Sequence, residues 1–166
     1  MYKNLNEFFL AAQKELDLFN AWVAKTQPAA RADHICYKCG SQEEYEELRA
    51  FFDYHSDFVY QSIISARRIA IVKFTTPIAT ELGDIWYLEL SDQKPDGSQV
   101  SGFDHIEIYP LTGSLDDFAL QLEGQGVALE KTVRPHHTTY DTLLSDSFKV
   151  RLEPDALVDK IKREEM

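Results

Sequence analysis

Asp33-His34-Ile35 and Asp104-His105-Ile106 open two stretches of this chain, which close on Tyr87-Leu88-Glu89 and Arg151-Leu152-Glu153. Each stretch begins on a histidine and ends on a glutamate, which marks an internal repeat. Pseudo-two-fold symmetry between the halves gathers two imidazoles and two carboxylates around one point. His34, Glu89, His105 and Glu153 then form a set of N and O donors suited to a divalent metal ion.

The elements around these motifs follow the same plan twice. The first half reads as a strand from about Ala32 and a helix opened by the capping box at 41–44. Three strand-like runs follow, over 58–65, 67–74 and 84–90. Lys94, Pro95, Asp96, Gly97 and Ser98 make a turn-rich connector. The second half repeats the order: a strand over 103–109, a helix from Ser114, and strands near 127–133, 137–143 and 148–153. Ahead of the repeat, Leu5, Phe8, Phe9, Ala12, Leu16 and Phe19 lie at helical spacing behind an Asn4/Glu7 capping box, predicting one amphipathic helix over 4–24. The expected organisation is a helical segment (1–31), a βαβββ module (32–93), a connector (94–102), a second βαβββ module (103–154) and a closing helix (155–166). The fold class is α+β, with the modules joined into one curved mixed sheet.

Alternation within the strands gives the sheet a polar face. Phe103, His105, Glu107 and Tyr109 are expected on one side of their strand, and Ile85, Tyr87 and Glu89 on one side of theirs. Lys149, Arg151 and Glu153 form a third such set, and His34, Cys36 and Lys38 a fourth. All four candidate ligands fall on the more polar side, so a sheet curved around it makes a cup.

With these motifs in hand, the chain resembles the vicinal oxygen chelate superfamily, whose paired βαβββ modules form a cup around a divalent metal. The runs Ala32-Asp33-His34-Ile35, Tyr87-Leu88-Glu89-Leu90 and Asp104-His105-Ile106-Glu107-Ile108 look most like the YecM family within it. The stretch 65–74 and the leading helix fit as well. The resemblance implies ligands on the first and last strand of each module, the His, Glu, His, Glu order of the glyoxalase I type; in YecM proteins the last-strand position also holds histidine. It implies Zn, Ni, Co, Mn or Fe as the ion. It further implies isomerase, epimerase or lyase chemistry on a small oxygen-rich metabolite, with Glu153 or Glu89 as the base next to a chelated carbonyl. A non-catalytic binding protein with the same cup and an Fe(II) ring-cleaving dioxygenase are the alternatives.

Other residues have weaker roles in this reading. Glu107 and Cys36 share faces with the histidines and are candidates to support the ligands. Arg67, Lys73 and Arg151 are candidates for an anionic substrate group, and Tyr87 and Tyr109 for the pocket wall. His136 and His137 follow Pro135 in a turn and are expected as exposed loop residues, with lining of the cup mouth as the alternative.

Composition excludes several classes. A net charge of −11 without a basic stripe argues against nucleic acid or an anionic membrane as partner. No run approaches the about 18 apolar residues of a membrane span, and the first 15 residues do not build a signal-peptide core. A cytoplasmic monomer or homodimer with a small-molecule ligand is the expectation. Cys36 and Cys39 form a C-x-x-C, but on a strand residues three apart face opposite ways, so both are expected to be buried structural thiols.

Overall fold

Three of the helices begin where a side chain accepts a backbone N–H left unpaired by the first turn. Asn4 Oδ1 accepts from Glu7 N at the start of α1 (Leu5–Ala11), Ser41 Oγ from Glu44 N before α3 (Gln42–His55), and Ser114 Oγ from Asp117 N before α4 (Leu115–Gly124). The structure, a computed structural model, describes residues 1–64, 66–135 and 137–159, without the side chain of Phe58. The single helix expected over 4–24 is two. Ala12, whose N–H reaches Phe9 O at 3.0 Å, separates α1 from α2 (Gln13–Thr26). Residues 157–159 are helical, and the rest of the expected closing helix lies outside the described residues.

Among the described residues, eight strands form one sheet: β1 (Ala30–Lys38), β2 (Ser56–Ile64), β3 (Arg67–Thr80), β4 (Gly83–Ser91), β5 (Gly102–Pro110), β6 (Glu130–Val133), β7 (Thr138–Leu143) and β8 (Lys149–Leu152). Their order, β2-β3-β4-β1-β5-β8-β7-β6, reads the same from either edge once the modules are exchanged. Within each module the first strand pairs in parallel with the last, β1 with β4 and β5 with β8. The modules meet through antiparallel β1 and β5. The sheet is mixed and curved. The pseudo-two-fold axis passes close to the Ile35/Ile106 pair, with His34 opposite Glu107 and Cys36 opposite His105 on either side.

One face packs on the helices. Ile35, Val72, Leu88, Leu90, Ile106, Phe148, Val150 and Leu152 join Phe8, Phe19, Leu48, Phe52 and Leu122 in a continuous core, each such side chain contributing about 1.5–3 kcal/mol when fully buried. Phe8 ties the leading helices to both modules, edge-on to Phe52 at 5.0 Å and tilted against Phe103 at 5.4 Å. Two expected faces are corrected here. Phe103 joins this core instead of sharing a side with His105, and Ile85 joins it instead of sharing a side with Tyr87. At Phe103 the cause is broken alternation, because pairing skips Asp104 between Cys36/His105 and Tyr37/Phe103. Near Ile85 the β3–β4 pairing is also irregular between Lys73/Tyr87 and Ile78/Ile85, with the extra residues on β3.

The β1–β5 seam carries a matching irregularity in each module. Pairing skips Asp33 between Ala32/Ile108 and His34/Glu107, just as it skips Asp104 on the other strand. A bulged residue leaves the strict two-residue period, so each aspartate turns to the same side as the histidine that follows it.

Candidate metal centre

Both bulges produce the same local unit. His34 Nδ1 lies 2.7 Å from Asp33 Oδ2 and His105 Nδ1 lies 2.8 Å from Asp104 Oδ2, so each ring donates to its neighbour's carboxylate. That bond fixes the tautomer and leaves Nε2 facing Glu89 and Glu107, the arrangement by which carboxylates orient metal-binding imidazoles. The two rings stand 6.1 Å apart at 72°. His34 and His105 are both inaccessible to solvent.

Two carboxylates meet these Nε2 atoms. Glu89 Oε2 lies 3.2 Å from His34 Nε2 and 3.7 Å from His105 Nε2. Glu107 Oε2 contacts His34 Nε2 and lies 3.3 Å from His105 Nε2. One donor atom from each of His34, Glu89, His105 and Glu107 falls within 4.8 Å of the other three. Two neutral imidazoles and two carboxylates offset a divalent charge, so this donor set fits a divalent ion chemically as well as spatially.

The electrostatics match a cluster assembled for a cation. Burial works against the charged form of His34, but Glu107, Asp33 and Glu89 outweigh it and lift the imidazole well above its usual pKa. Burial likewise opposes ionisation of Glu89 and Glu107, and the two histidines overcome it, holding Glu89 below and Glu107 well below the usual carboxylate range. Asp104 is also held low, burial being outweighed by His105, Lys38 and Lys149. Lys38 reaches it at 3.2 Å and Lys149 at 3.6 Å.

Glu153 stands outside this four-donor group. Its carboxylate lies 3.2 Å from His137 Nε2, and its backbone N–H bonds to Ile108 O. Strand register gives the reason. In the first module Tyr87 is opposite His34 and Glu89 opposite Cys36, two residues on. In the second, Lys149 is opposite His105 and Arg151 opposite Glu107. Arg151 therefore occupies the place equivalent to Glu89, and Glu153 sits one pair further out. The matching Leu-Glu ends of the two repeats are offset by two residues in space, and Glu107, on the first strand of its module, supplies the carboxylate.

The remaining candidates divide between the cup and other places. Cys36 lies between Glu89 and His105 in the sheet, its Sγ 4.0 Å from Ser91 Oγ, and burial raises its thiol pKa well above normal. Cys39 is buried in the core, and both thiols are free. Arg151 forms a two-point ion pair with Asp141 at 2.9 and 3.3 Å. Lys73 sits opposite Tyr87, with Nζ 5.9 Å from the centre of the Trp86 ring. Tyr87 and Tyr109 line a cavity beside the cluster. Arg67, opposite Ile64 in the outer hairpin, is not brought to the cluster, and His136 lies outside the described residues. Asp33 and Asp104 escaped the functional reading, although both precede a histidine in the repeat. Asp33→Asn and Asp104→Asn are each expected to weaken metal affinity about 10- to 100-fold, measured by competition with a chromogenic chelator. Unchanged affinity in both would remove their orienting role.

A sequence profile for the family described as YecM protein matches residues 1–151. No curated protein matches the sequence. Among solved structures, Protein EC4020 is similar at 18% identity, covering 99% of this chain and 94% of its own, with a TM-score of 0.77. Methylmalonyl-CoA epimerase of Streptomyces coelicolor, in complex with 2-nitronate-propionyl-CoA, is 19% identical over 77% of this chain and 96% of its own, with a TM-score of 0.49. A fusion of a xylose isomerase-like TIM barrel with 4-hydroxyphenylpyruvate dioxygenase is 9% identical over 80% of this chain and 28% of its own, also at 0.49. The likeness to Protein EC4020 extends to the whole fold.

Proposed function

The chain belongs to the YecM family, and from that premise and its four converging donors we propose a divalent-metal-binding protein of the vicinal oxygen chelate type, acting on a small oxygen-rich metabolite by proton abstraction. The observation that carries this reading is the pair of Asp-His bulges aiming two Nε2 atoms at two carboxylates, Glu107 buried and Glu89 half-buried, within one chain. No described helix is long and apolar enough to cross a membrane.

A bound divalent ion, Zn, Ni, Co, Mn or Fe, supplies Lewis-acid polarisation of a carbonyl chelated together with a neighbouring oxygen. The protein's own groups divide the remaining work. His34 and His105 are fixed ligands, locked by Asp33 and Asp104. Glu107 is buried and touches both imidazoles, which makes it the more rigid carboxylate. Glu89 is the more accessible, with 23% of its side chain exposed against 7% for Glu107. Glu89 is therefore the carboxylate placed to take a proton from the carbon beside the carbonyl. Isomerisation, epimerisation and elimination share that step.

Glu153, paired with His137, is the other candidate base, and two variants separate them. Glu89→Gln is expected to abolish exchange of the substrate proton with solvent deuterium, while Glu153→Gln retains it. NMR of α-hydroxy-carbonyl, hemithioacetal and acyl-thioester probes reads the exchange. The reverse pattern moves the base to Glu153, and exchange surviving in both variants removes the mechanism. Ring cleavage by Fe(II) uses a two-His-one-carboxylate face, and a second carboxylate in the same donor group works against it. Ligand-induced stabilisation without exchange of any probe is the signature of a non-catalytic binder.

A further inference from the structure

A cavity of about 450 Å³ opens beside the cluster, at the end of the cup where β1 and β4 begin and β5 ends. Its walls include three aromatic rings, Trp86, Tyr87 and Tyr109, and three charged side chains, Arg31, Asp33 and Asp84. Register ties it to the metal centre: Tyr87 lies opposite His34, and Tyr109 lies opposite Arg31 and two residues beyond Glu107. Arg31 is three residues before His34, about 10 Å along an extended strand.

The charged groups differ in their commitments. Asp33 is engaged, accepting from His34 Nδ1 and from Leu157 N at 2.9 Å. Arg31 and Asp84 are exposed, and neither makes an ion pair or side-chain hydrogen bond to another described residue. The backbone brings the two together. Gly83, at φ +99°, precedes Asp84, and a Cβ placed there would stand 3.2 Å from Arg31 Nη1. The absent side chain leaves the guanidinium room against Gly83, one residue before Asp84, in the cavity that both charged side chains line.

We propose that this cavity is a recognition subsite for a zwitterionic, amino-acid-like group, with Arg31 receiving its carboxylate and Asp84 its ammonium. A simple anion bound at Arg31 leaves Asp84 facing it with like charge, and a simple cation at Asp84 does the same to Arg31. A group carrying both charges satisfies both partners at once. The planar guanidinium fork suits a carboxylate, and the aromatic walls suit both an ammonium and an apolar stem. The proposal rests on the metal reading only in placing the oxygen-rich end of the same molecule at the cluster, which narrows the substrate class to amino-acid-bearing metabolites.

The subsite needs no metal, so the test uses the full chain after chelator treatment. The indole N–H signals of Trp22 and Trp86, the only two tryptophans, are followed by NMR and assigned with Trp86→Phe. L-phenylalanine is expected to shift the Trp86 signal saturably and leave Trp22 in place. Hydrocinnamate, which lacks the ammonium, and phenethylamine, which lacks the carboxylate, are expected to bind at least about tenfold more weakly, as a site built for a missing polar group rejects the analogue. Arg31→Ala and Asp84→Asn should each weaken phenylalanine by a similar factor, with Arg31→Lys recovering part of the loss. No saturable shift with phenylalanine overturns the proposal, as does hydrocinnamate or phenethylamine binding equally well. Metal uptake by the same protein is measured separately, so failure of the subsite and failure of the metal centre give different results.

Discussion

His105→Ala is expected to raise the dissociation constant for a divalent ion by more than the about 100-fold at which loss of an outer-shell partner tops out. The substitution removes a donor whose Nε2 faces both Glu89 and Glu107. Stability makes the loss easy to read. Metal at about 100 times its dissociation constant adds roughly 2.7 kcal/mol to the wild-type protein, and a 100-fold weaker variant at the same concentration retains only about 0.4 kcal/mol. Thermal melts with Zn, Ni, Mn and Fe(II) after chelator treatment measure the difference. A variant that keeps the wild-type increment places the ion elsewhere.

The second large effect is a reversal of pH dependence on metal loading. In the metal-free protein the pKa of His34 is raised above 6.5, chiefly by Glu107 working against burial. Its contribution to stability is complete below about pH 6.5 and is lost as pH rises through the raised value. Glu89 and Glu107 have pKa values depressed below 4.5 by the histidines. Their contribution is present above about pH 4.5 and is lost as pH falls through the depressed values. These groups therefore favour the metal-free protein most between about pH 4.5 and 6.5. Coordination requires the neutral imidazole, so uptake at neutral pH expels the His34 proton, and metal stabilises more as pH rises. Calorimetric titration in two buffers of different ionisation heat counts the released proton. Uptake without release would contradict the charge state assigned to His34.

Much of this architecture was legible because it rests on local chemistry. Asn4, Ser41 and Ser114 each start a helix through a bond to the residue three positions on, and the doubled order of elements gives the mirrored sheet. His34, Glu89 and His105 lie on strands whose polar sides follow from alternation. What the chain conceals is register. A single bulged residue reverses the side on which its neighbours fall, and nothing in Phe103-Asp104-His105 announces that Phe103 turns to the core while Asp104 joins His105. The same limit separates Glu153 from Glu107: both are glutamates in runs that read as strand, and only strand pairing reveals that Arg151 takes the place equivalent to Glu89, with Glu153 just past the end of β8. The repeated aspartate was visible, but without the bulge its side chain belongs on the opposite face from the imidazole. Ala12, which divides the leading helix, fits a helical pattern as well as any residue around it.

The central claim is that one ion sits among His34, Glu89, His105 and Glu107. Anomalous diffraction from crystals of the protein loaded with Zn or Ni, collected on both sides of the metal absorption edge, locates that ion directly. One strong peak is expected between the Nε2 atoms of His34 and His105, in contact with the carboxylates of Glu89 and Glu107. A fully loaded crystal with its peak at His137 and Glu153, or with none between the two histidines, would contradict it.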